Sequence, residues 1–433
     1  MGEGIVAGVR LRRLGRWGML ALGLLVAGCL GPTRAPVPAA TREGRWRQDL
    51  HYLATNLRRL HADLFFKTEP EVFDATVEVL DRSIDALADH EIIVGLMRLV
   101  TRVGDAHTRL HWQGHTPWRS YPLRLYWFSD GLYAVAAHRD YAEAVGKRLV
   151  GLGGAEVAEV CAALAEVIPH ENDAALKQYL PEHLVVPQIL RALGYADDDD
   201  RTKYVFADAD GREFTVEVTP ARRRGFRRWW RWVSARDQTG SSRPLYLTNY
   251  SDYWFRYLED SKTLFCQYNR CADNPDRPFA EFAKRVLTFV DQHPVERFVL
   301  DLRRNAGGDS RVAAPLIRGL VRRKKINRPG HLFVLVGRRT FSSALVNALA
   351  LQRRTEAVFI GEPTGQKPNA FGEVKRFKLP NSKIPVSYST RYFKMVPGDP
   401  PSFVPDVLVE VSSADSFAGR DPVLEAALTY LVE

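Results

Sequence analysis

Short apolar runs alternate with amphipathic segments between residues 298 and 373. The runs at 298–300, 332–336 and 358–360 are almost wholly apolar, which is typical of buried parallel strands. Apolar residues recur at helical spacing in the two segments between them, 312–320 and 344–351. This alternation predicts an α/β fold in which helices cover both faces of a parallel sheet.

Three polar loops follow these strands, at residues 305–308, 342–343 and 361–367. Right-handed crossovers place all strand-to-helix loops at the carboxyl edge of a parallel sheet. We therefore expect the three loops to meet at one place, and we look there for a functional site.

The chemistry of the three loops is complementary. Ser342 precedes a predicted helix, where free N–H groups and the helix dipole favour developing negative charge. Gly307 and Gly308 allow the backbone to approach a ligand closely and to present N–H donors. Lys367 offers an amine that accepts a proton if burial keeps it neutral. Together these residues indicate nucleophilic catalysis by Ser342.

Amphipathic and alternating patterns continue through the rest of the chain. The sequence predicts helices throughout residues 44–104, the third of them at 92–103, and a strand at 108–112. A hairpin is predicted at 121–128 and 131–137, followed by a helix at 156–167, two inserted helices and a strand pair at 204–206 and 214–218. We expect 263–268 to be the first strand of the core sheet and 279–290 its covering helix.

The N-terminal residues predict export and lipid attachment. Arginines at 10, 12, 13 and 16 precede an apolar stretch at 19–26 that is too short for a stable membrane span. The segment 26–29 is similar to a bacterial lipobox, so we expect Cys29 to become a lipidated N-terminus; an ordinary signal peptide is the alternative. Leu30 in place of aspartate favours the outer membrane, facing the periplasm, and 32–40 reads as a tether.

Composition is that of a globular protein, with 433 residues, 45% hydrophobic content and a net charge of +10. The basic residues are dispersed and no nucleic-acid motif accompanies them, so we expect no nucleic-acid partner. Segment 221–236, rich in Arg and Trp, suits either an interdomain linker or a lipid surface. The cysteines lack zinc-site spacing, and a bridge between Cys266 and Cys271 requires a bend in the chain. We expect no metal and no cofactor.

Three motifs resemble those of the C-terminal-processing (tail-specific) serine peptidases. Residues 301–308 (DLRRNAGG) are similar to the DLRxNxGG segment of that family, 340–344 to its nucleophile turn and 361–364 to its following strand end. The resemblance implies a ClpP/crotonase-like core that hydrolyses peptide bonds with a Ser/Lys dyad, or with Ser/His/acid in the tricorn-like branch.

Carried onto this sequence, the resemblance makes Ser342 the nucleophile and places Lys367 at the dyad offset, 25 positions later. It makes the N–H groups of Gly307 and Ser343 the oxyanion donors, within a substrate-binding loop that also contains Asn305 and Gly308. Leu345 stands where the family usually has glutamate.

A second candidate base is His107, because segment 104–110 is similar to the GDxHT segment of tricorn-like peptidases. Imidazole requires little tuning of its pKa near neutral pH, whereas an amine requires a shift of about three units, so we favour His107 over Lys367. Asp399 and Glu373 are the two candidates for the acid that orients it.

The predicted organisation is a signal peptide (1–28), a tether (29–43), an N-terminal helical domain (44–113), a PDZ-like or cap module with a helical insertion (114–222) and a peptidase core (223–433). The predicted function is an envelope-anchored serine peptidase with peptide or protein substrates. The alternative is a lipoprotein that binds a ligand or peptide on the same scaffold without catalysis.

Overall fold

The structure is a computed structural model that describes residues 31–196, 201–222 and 232–431. Cys29, Leu30 and most of the segment rich in Arg and Trp lie outside these residues. Pro32–Glu433 form a compact unit. No helix in the described ranges is long and apolar enough to cross a membrane.

The elements are numbered in chain order. The helices are α1 Arg42–Leu60, α2 Pro70–Ser83, α3 Asp89–Thr101, α4 Val157–Ala165, α5 Asp173–His183, α6 Pro187–Ala192, α7 Ala235–Thr239, α8 Phe279–Gln292, α9 Ala314–Arg322, α10 Ser343–Arg354, α11 Ser413–Phe417 and α12 Pro422–Thr429. The strands are β1 Arg109–Leu110, β2 Arg119–Ser120, β3 Leu123–Phe128, β4 Gly131–His138, β5 Arg148–Leu152, β6 Ala155–Glu156, β7 Thr202–Ala207, β8 Glu213–Val218, β9 Ala221–Arg222, β10 Trp232–Ser234, β11 Tyr253–Leu258, β12 Thr263–Tyr268, β13 Arg297–Asp301, β14 Leu332–Val336, β15 Val358–Gly361, β16 Ala370–Lys378, β17 Pro385–Phe393 and β18 Val407–Leu408.

The core is a sheet in the order β11-β12-β13-β14-β15-β18, parallel from β12 to β18. The expectation that 263–268 is its first strand is wrong, because β11 precedes β12 and pairs with it antiparallel. β11 is a half-exposed edge strand interrupted by Arg256, so it lacks the unbroken apolar run that marked the interior strands. The remaining core strands and their crossover helices confirm the predicted α/β class.

Side chains alternate between the two faces of this sheet. Leu264, Leu300 and Val334 face a core built with α8, α9 and α10. Their neighbours Phe265 and Val299 face the opposite side, where α12 packs. Both faces are therefore buried, and the loops at the carboxyl edge are held by covered strands.

The N-terminal helices and the cap share a second apolar core. The predicted β3–β4 hairpin is present and joins a sheet in the order β10-β4-β5-β7-β8. The same core includes residues of the long hairpin β16–β17, which follows the third loop of the site.

Strand β1 connects the N-terminal helices to this hairpin. It is shorter than the predicted strand at 108–112, and it pairs antiparallel with β17, Arg109 lying opposite Ser387. The hydroxyl of Ser387 also donates to the His107 carbonyl oxygen at 2.7 Å. This pairing places the His107 segment beside the hairpin that leaves the third loop.

Candidate active site

The loops after β13, β14 and β15 meet at the carboxyl edge of the core sheet. The Phe341 N–H donates to the Asn305 carbonyl at 3.1 Å, and the Ser343 hydroxyl donates to the Gly308 carbonyl at 2.5 Å. The Ser342 N–H donates to Oε1 of Gln366 in the third loop. The predicted convergence of the three loops is thus present in the structure.

Ser342 has an unusual backbone conformation, with φ 53° and ψ −127°. Residues with a side chain avoid positive φ, and holding one there costs about 1–3 kcal/mol. The residue precedes α10, yet its side chain makes no capping hydrogen bond, and it is partly exposed. The hydroxyl is therefore available to a substrate and is not used to stabilise the helix.

The glycine pair lies directly against Ser342. Gly307 has φ 102°, and a Cβ added there would lie 2.7 Å from Ser342 Cβ and 3.1 Å from the Ser343 nitrogen. Gly308 has φ 136°, and a Cβ there would lie 2.1 Å from the Cys271 carbonyl oxygen. Both positions require glycine because of their conformation and because of the space available.

Asn305 fixes this loop from within. Its Oδ1 accepts the Gly307 N–H at 2.9 Å, and its Nδ2 donates to the Tyr268 carbonyl at 2.9 Å. The Gly307 N–H, an expected oxyanion donor, is thus engaged inside the loop. In the described part of the chain, no acceptor is found for the N–H groups of Gly308 and Ser343. These two donors remain open to a ligand.

His107 reaches this edge from the N-terminal half. Its ring centroid lies 4.6 Å from that of Phe341, the residue before the candidate nucleophile, and its side chain is 9% exposed. Neither ring nitrogen makes a well-aligned hydrogen bond among the described residues. Burial lowers the pKa of His107 and the Arg109 charge adds to this, whereas the Asp105 carboxylate and the nearby Phe371 backbone oppose it. A buried neutral imidazole with free nitrogens is equipped to accept a proton.

Asp105 organises the segment around His107. One of its oxygens accepts the His107 backbone N–H at 2.9 Å and lies 3.8 Å from Nδ1 of the same residue. The other oxygen accepts from Thr108 and Ser389, each at 2.6 Å, and lies 3.2 Å from Nε2 of His61. Burial favours the neutral acid, but the His61 hydrogen bond, the His107 charge and the two hydroxyls lower the Asp105 pKa to about 2. Asp105 is therefore a carboxylate, and its charge stabilises an imidazolium at His107.

Glu171, which precedes α5, is a component that the sequence did not reveal. Its two carboxyl oxygens accept the backbone N–H groups of Ala106 at 3.2 Å and Lys367 at 3.1 Å. Burial, with the Asp105 charge, raises the pKa of Glu171 to about 7. Glu171 joins the His107 segment to the third loop, and it belongs to no motif that could have identified it.

Asp105, His107 and Glu171 each offer one potential ligand atom, and these atoms lie within 4.8 Å of one another. Such a set could hold a metal ion. However, Asp105 already accepts hydrogen bonds from four groups, which leaves little capacity for a metal. The arrangement suits acid–base chemistry better.

The structure directs the other candidate groups elsewhere. The Lys367 ammonium pairs with Asp399 at 2.6 Å, and the Asp399 side chain is 61% exposed. Glu373 is 59% exposed and lies 3.8 Å from Arg391. Over the described ranges, neither acid hydrogen-bonds to His107, and Nζ of Lys367 is engaged by Asp399. Leu345, on α10, is buried in the core of the sheet.

No protein-family model and no curated protein matches this sequence. Several solved structures do. Mature CPAF complexed with lactacystin superposes with a TM-score of 0.61 at 15% identity, covering 89% of this chain and 98% of that one. Mature CPAF alone gives 0.61 at 14% identity, covering 89% and 96%. The photosystem II D1 C-terminal processing protease gives 0.43 at 14% identity, covering 88% and 99%. At these identities, the likeness to mature CPAF shows a shared fold over nearly the whole of both chains.

Proposed function

We propose that this protein is a serine peptidase that hydrolyses peptide bonds through an acyl-enzyme at Ser342. The observation that carries the proposal is an uncapped Ser342 at positive φ that lies against the Gly307 backbone, while the buried His107 ring packs on the preceding residue, Phe341. The resemblance of residues 301–308 to the DLRxNxGG segment and the fold shared with mature CPAF support it.

In the proposed reaction, the Ser342 hydroxyl attacks the substrate carbonyl carbon and His107 takes its proton. The open N–H groups of Ser343 and Gly308 then donate hydrogen bonds to the oxyanion, at the N-terminus of α10. His107 returns the proton to the leaving amine. Water then attacks the acyl carbon and loses a proton to His107, and His107 passes this proton to the Ser342 oxygen as the acid leaves.

We assign the base to His107 and not to Lys367. The imidazole is buried and neutral, whereas the lysine forms an ion pair with Asp399. Asp105 replaces Asp399 and Glu373 as the acid, because its carboxylate faces His107 Nδ1 at 3.8 Å. This gap is wider than a hydrogen bond, and catalytic contacts often tighten only when substrate binds.

A fluorophosphonate probe tests the assignment. We expect labelling at Ser342 by peptide mapping, no labelling of Ser342→Ala, and wild-type labelling of the matched control Ser129→Ala in an exposed turn. His107→Ala should slow labelling by at least about 100-fold, and Lys367→Ala by no more than about threefold. If the well-folded protein is not labelled at all, the non-catalytic binding protein is the better description.

Location and anchoring belong to the same proposal. We place the protein in the bacterial envelope, lipid-anchored through Cys29 at the outer membrane, with peptides or proteins as substrates. Fractionation tests this, because Cys29→Ser should leave the membrane fraction. Normal processing and membrane association of that variant would contradict lipid attachment.

A further inference from the structure

A second concave site lies at the same edge of the core sheet, away from Ser342. It is a cavity of about 350 Å³ between the cap, the core loops and the C-terminal segment. Neither Ser342 nor His107 lines it. Arg303 and Arg304 enter it from the loop after β13, and Arg338 and Arg339 from the loop after β14. We call it the arginine cavity.

The walls of the arginine cavity combine positive charge with aromatic surface. Arg236 at the start of α7 adds a fifth guanidinium, and Glu362 is the acidic side chain among the lining residues. The aromatic part of the wall comes from the cap, the core and the C-terminal segment: Tyr126, Phe128, Tyr246 and Phe417. A ligand that fits these walls has a negative group and an apolar body.

Two of the five arginines are neutralised within the protein. Arg303 pairs with Asp301 and Asp421, each at 2.7 Å, and Arg338 pairs with Glu362 at 2.6 Å. These pairs are buried, so their charges are compensated and they stiffen the wall.

The other three, Arg236, Arg304 and Arg339, form no ion pair with any residue in the described ranges. Arg304 is half-buried, stacks over the Tyr250 ring at 4.6 Å and donates to the Tyr246 carbonyl at 3.3 Å. Most of its five N–H donors remain unused. Burial lowers the Arg304 pKa, and the neighbouring charge of Arg339 contributes to that shift. A partly desolvated cation without a counter-charge is stabilised when an anion binds beside it.

We propose that the arginine cavity binds an organic carboxylate with an aromatic or aliphatic body, its carboxylate held by Arg304 and Arg339. The aromatic walls favour such a ligand over inorganic phosphate, which has no apolar surface to bury. Two kinds of ligand have a carboxylate with such a body: the C-terminal end of a peptide, and a small free acid.

The site is joined to the candidate nucleophile through the backbone. Arg304 directly precedes Asn305, which fixes Gly307, and Arg339 lies three residues before Ser342. A carboxylate bound in the cavity therefore contacts the segments that shape both halves of the proposed catalytic centre. The binding proposal itself does not depend on catalysis at Ser342.

Calorimetric titration of the full-length Ser342→Ala protein tests the proposal without turnover. The probes are N-acetyl-alanyl-phenylalanine, its C-terminal amide, 3-phenylpropanoate and inorganic phosphate. We expect the dipeptide acid to bind at least about tenfold more tightly than its amide. Arg304→Gln and the more exposed Arg339→Gln should each weaken binding by about tenfold, and Arg322→Gln on the exposed face of α9 should not.

The titrations separate the two sources. If 3-phenylpropanoate binds as tightly as the dipeptide acid, the ligand is a small acid; if only the dipeptide acid binds, it is a peptide terminus. Equal binding of acid and amide, tighter binding of phosphate, or unchanged affinity in both arginine variants would overturn the proposal. An unchanged thermal unfolding midpoint of the Arg304→Gln and Arg339→Gln chains shows that any loss of binding is local to the cavity.

Discussion

Replacing Ser342 by glycine should remove the proposed nucleophile and also make the protein more stable. At φ 53°, ψ −127°, a side chain is strained by about 1–3 kcal/mol, whereas glycine adopts positive φ without this penalty. The greater flexibility of glycine in the unfolded chain offsets about 0.5–1 kcal/mol. We therefore expect Ser342→Gly to exceed Ser342→Ala in free energy of unfolding by about 1 kcal/mol, because alanine removes the hydroxyl and keeps the strain.

Calorimetry of the two variants measures the difference. With an unfolding entropy of about 2.1 cal/mol/K per residue and roughly 400 folded residues, 1 kcal/mol raises Tm by about 1 °C. The same pair of substitutions at Ser343, the first residue of α10, is the control. Because Ser343 is helical, the Ser343→Gly protein should be less stable than the Ser343→Ala protein. If Ser342→Gly is not more stable than Ser342→Ala, the backbone at Ser342 is not strained and the reasoning is refuted.

Three further predictions concern the surroundings of the nucleophile. Gly307→Ala should slow fluorophosphonate labelling at least about 100-fold, since its methyl group would displace Ser342; Gly211→Ala, at φ 79° with open space around it, should label normally. Glu171 has a pKa of about 7 in the fold against 4.5 ordinarily, so the folded state binds more protons between these values and stability falls as pH rises through them. Urea unfolding between pH 4.5 and 8 measures this, and the free energy of unfolding of Glu171→Gln should change less with pH than that of the wild type. An equal pH dependence in the two proteins would contradict the assignment. Asp105→Asn should lower the free energy of unfolding by about 2–3 kcal/mol and the rate of fluorophosphonate labelling by at least about tenfold. If the stability falls and the labelling rate does not, Asp105 has no part in catalysis.

The interior of the core could be predicted from the sequence because its strands are buried on both faces. Their apolar runs marked β13, β14 and β15, and parallel topology then required their loops to meet. The edge strand β11 was missed for the opposite reason. It is half-exposed, and its pairing with β12, a contact distant from any local pattern, holds it as a strand.

The residues of the candidate site likewise fall into those that the sequence could predict and those that it could not. The glycine pair and Ser342 are defined by backbone geometry, which leaves local traces in sequence. Glu171 acts through hydrogen bonds to Ala106 and Lys367, residues 65 and 196 positions away, so no local pattern identifies it. The direction of the Lys367 side chain depends on how its loop folds against Glu171 and Asp399, and spacing from Ser342 carries no information about this.

The pairing of β1 with β17 has a consequence for biosynthesis. The ribosome makes His107 early, but the hydroxyls that hold its segment belong to Ser387 and Ser389, some 280 positions later in the chain. A nascent chain therefore holds the proton acceptor and even the serine before it has the means to bring them together. Assembly of the proposed centre therefore waits until the β16–β17 hairpin has been synthesised.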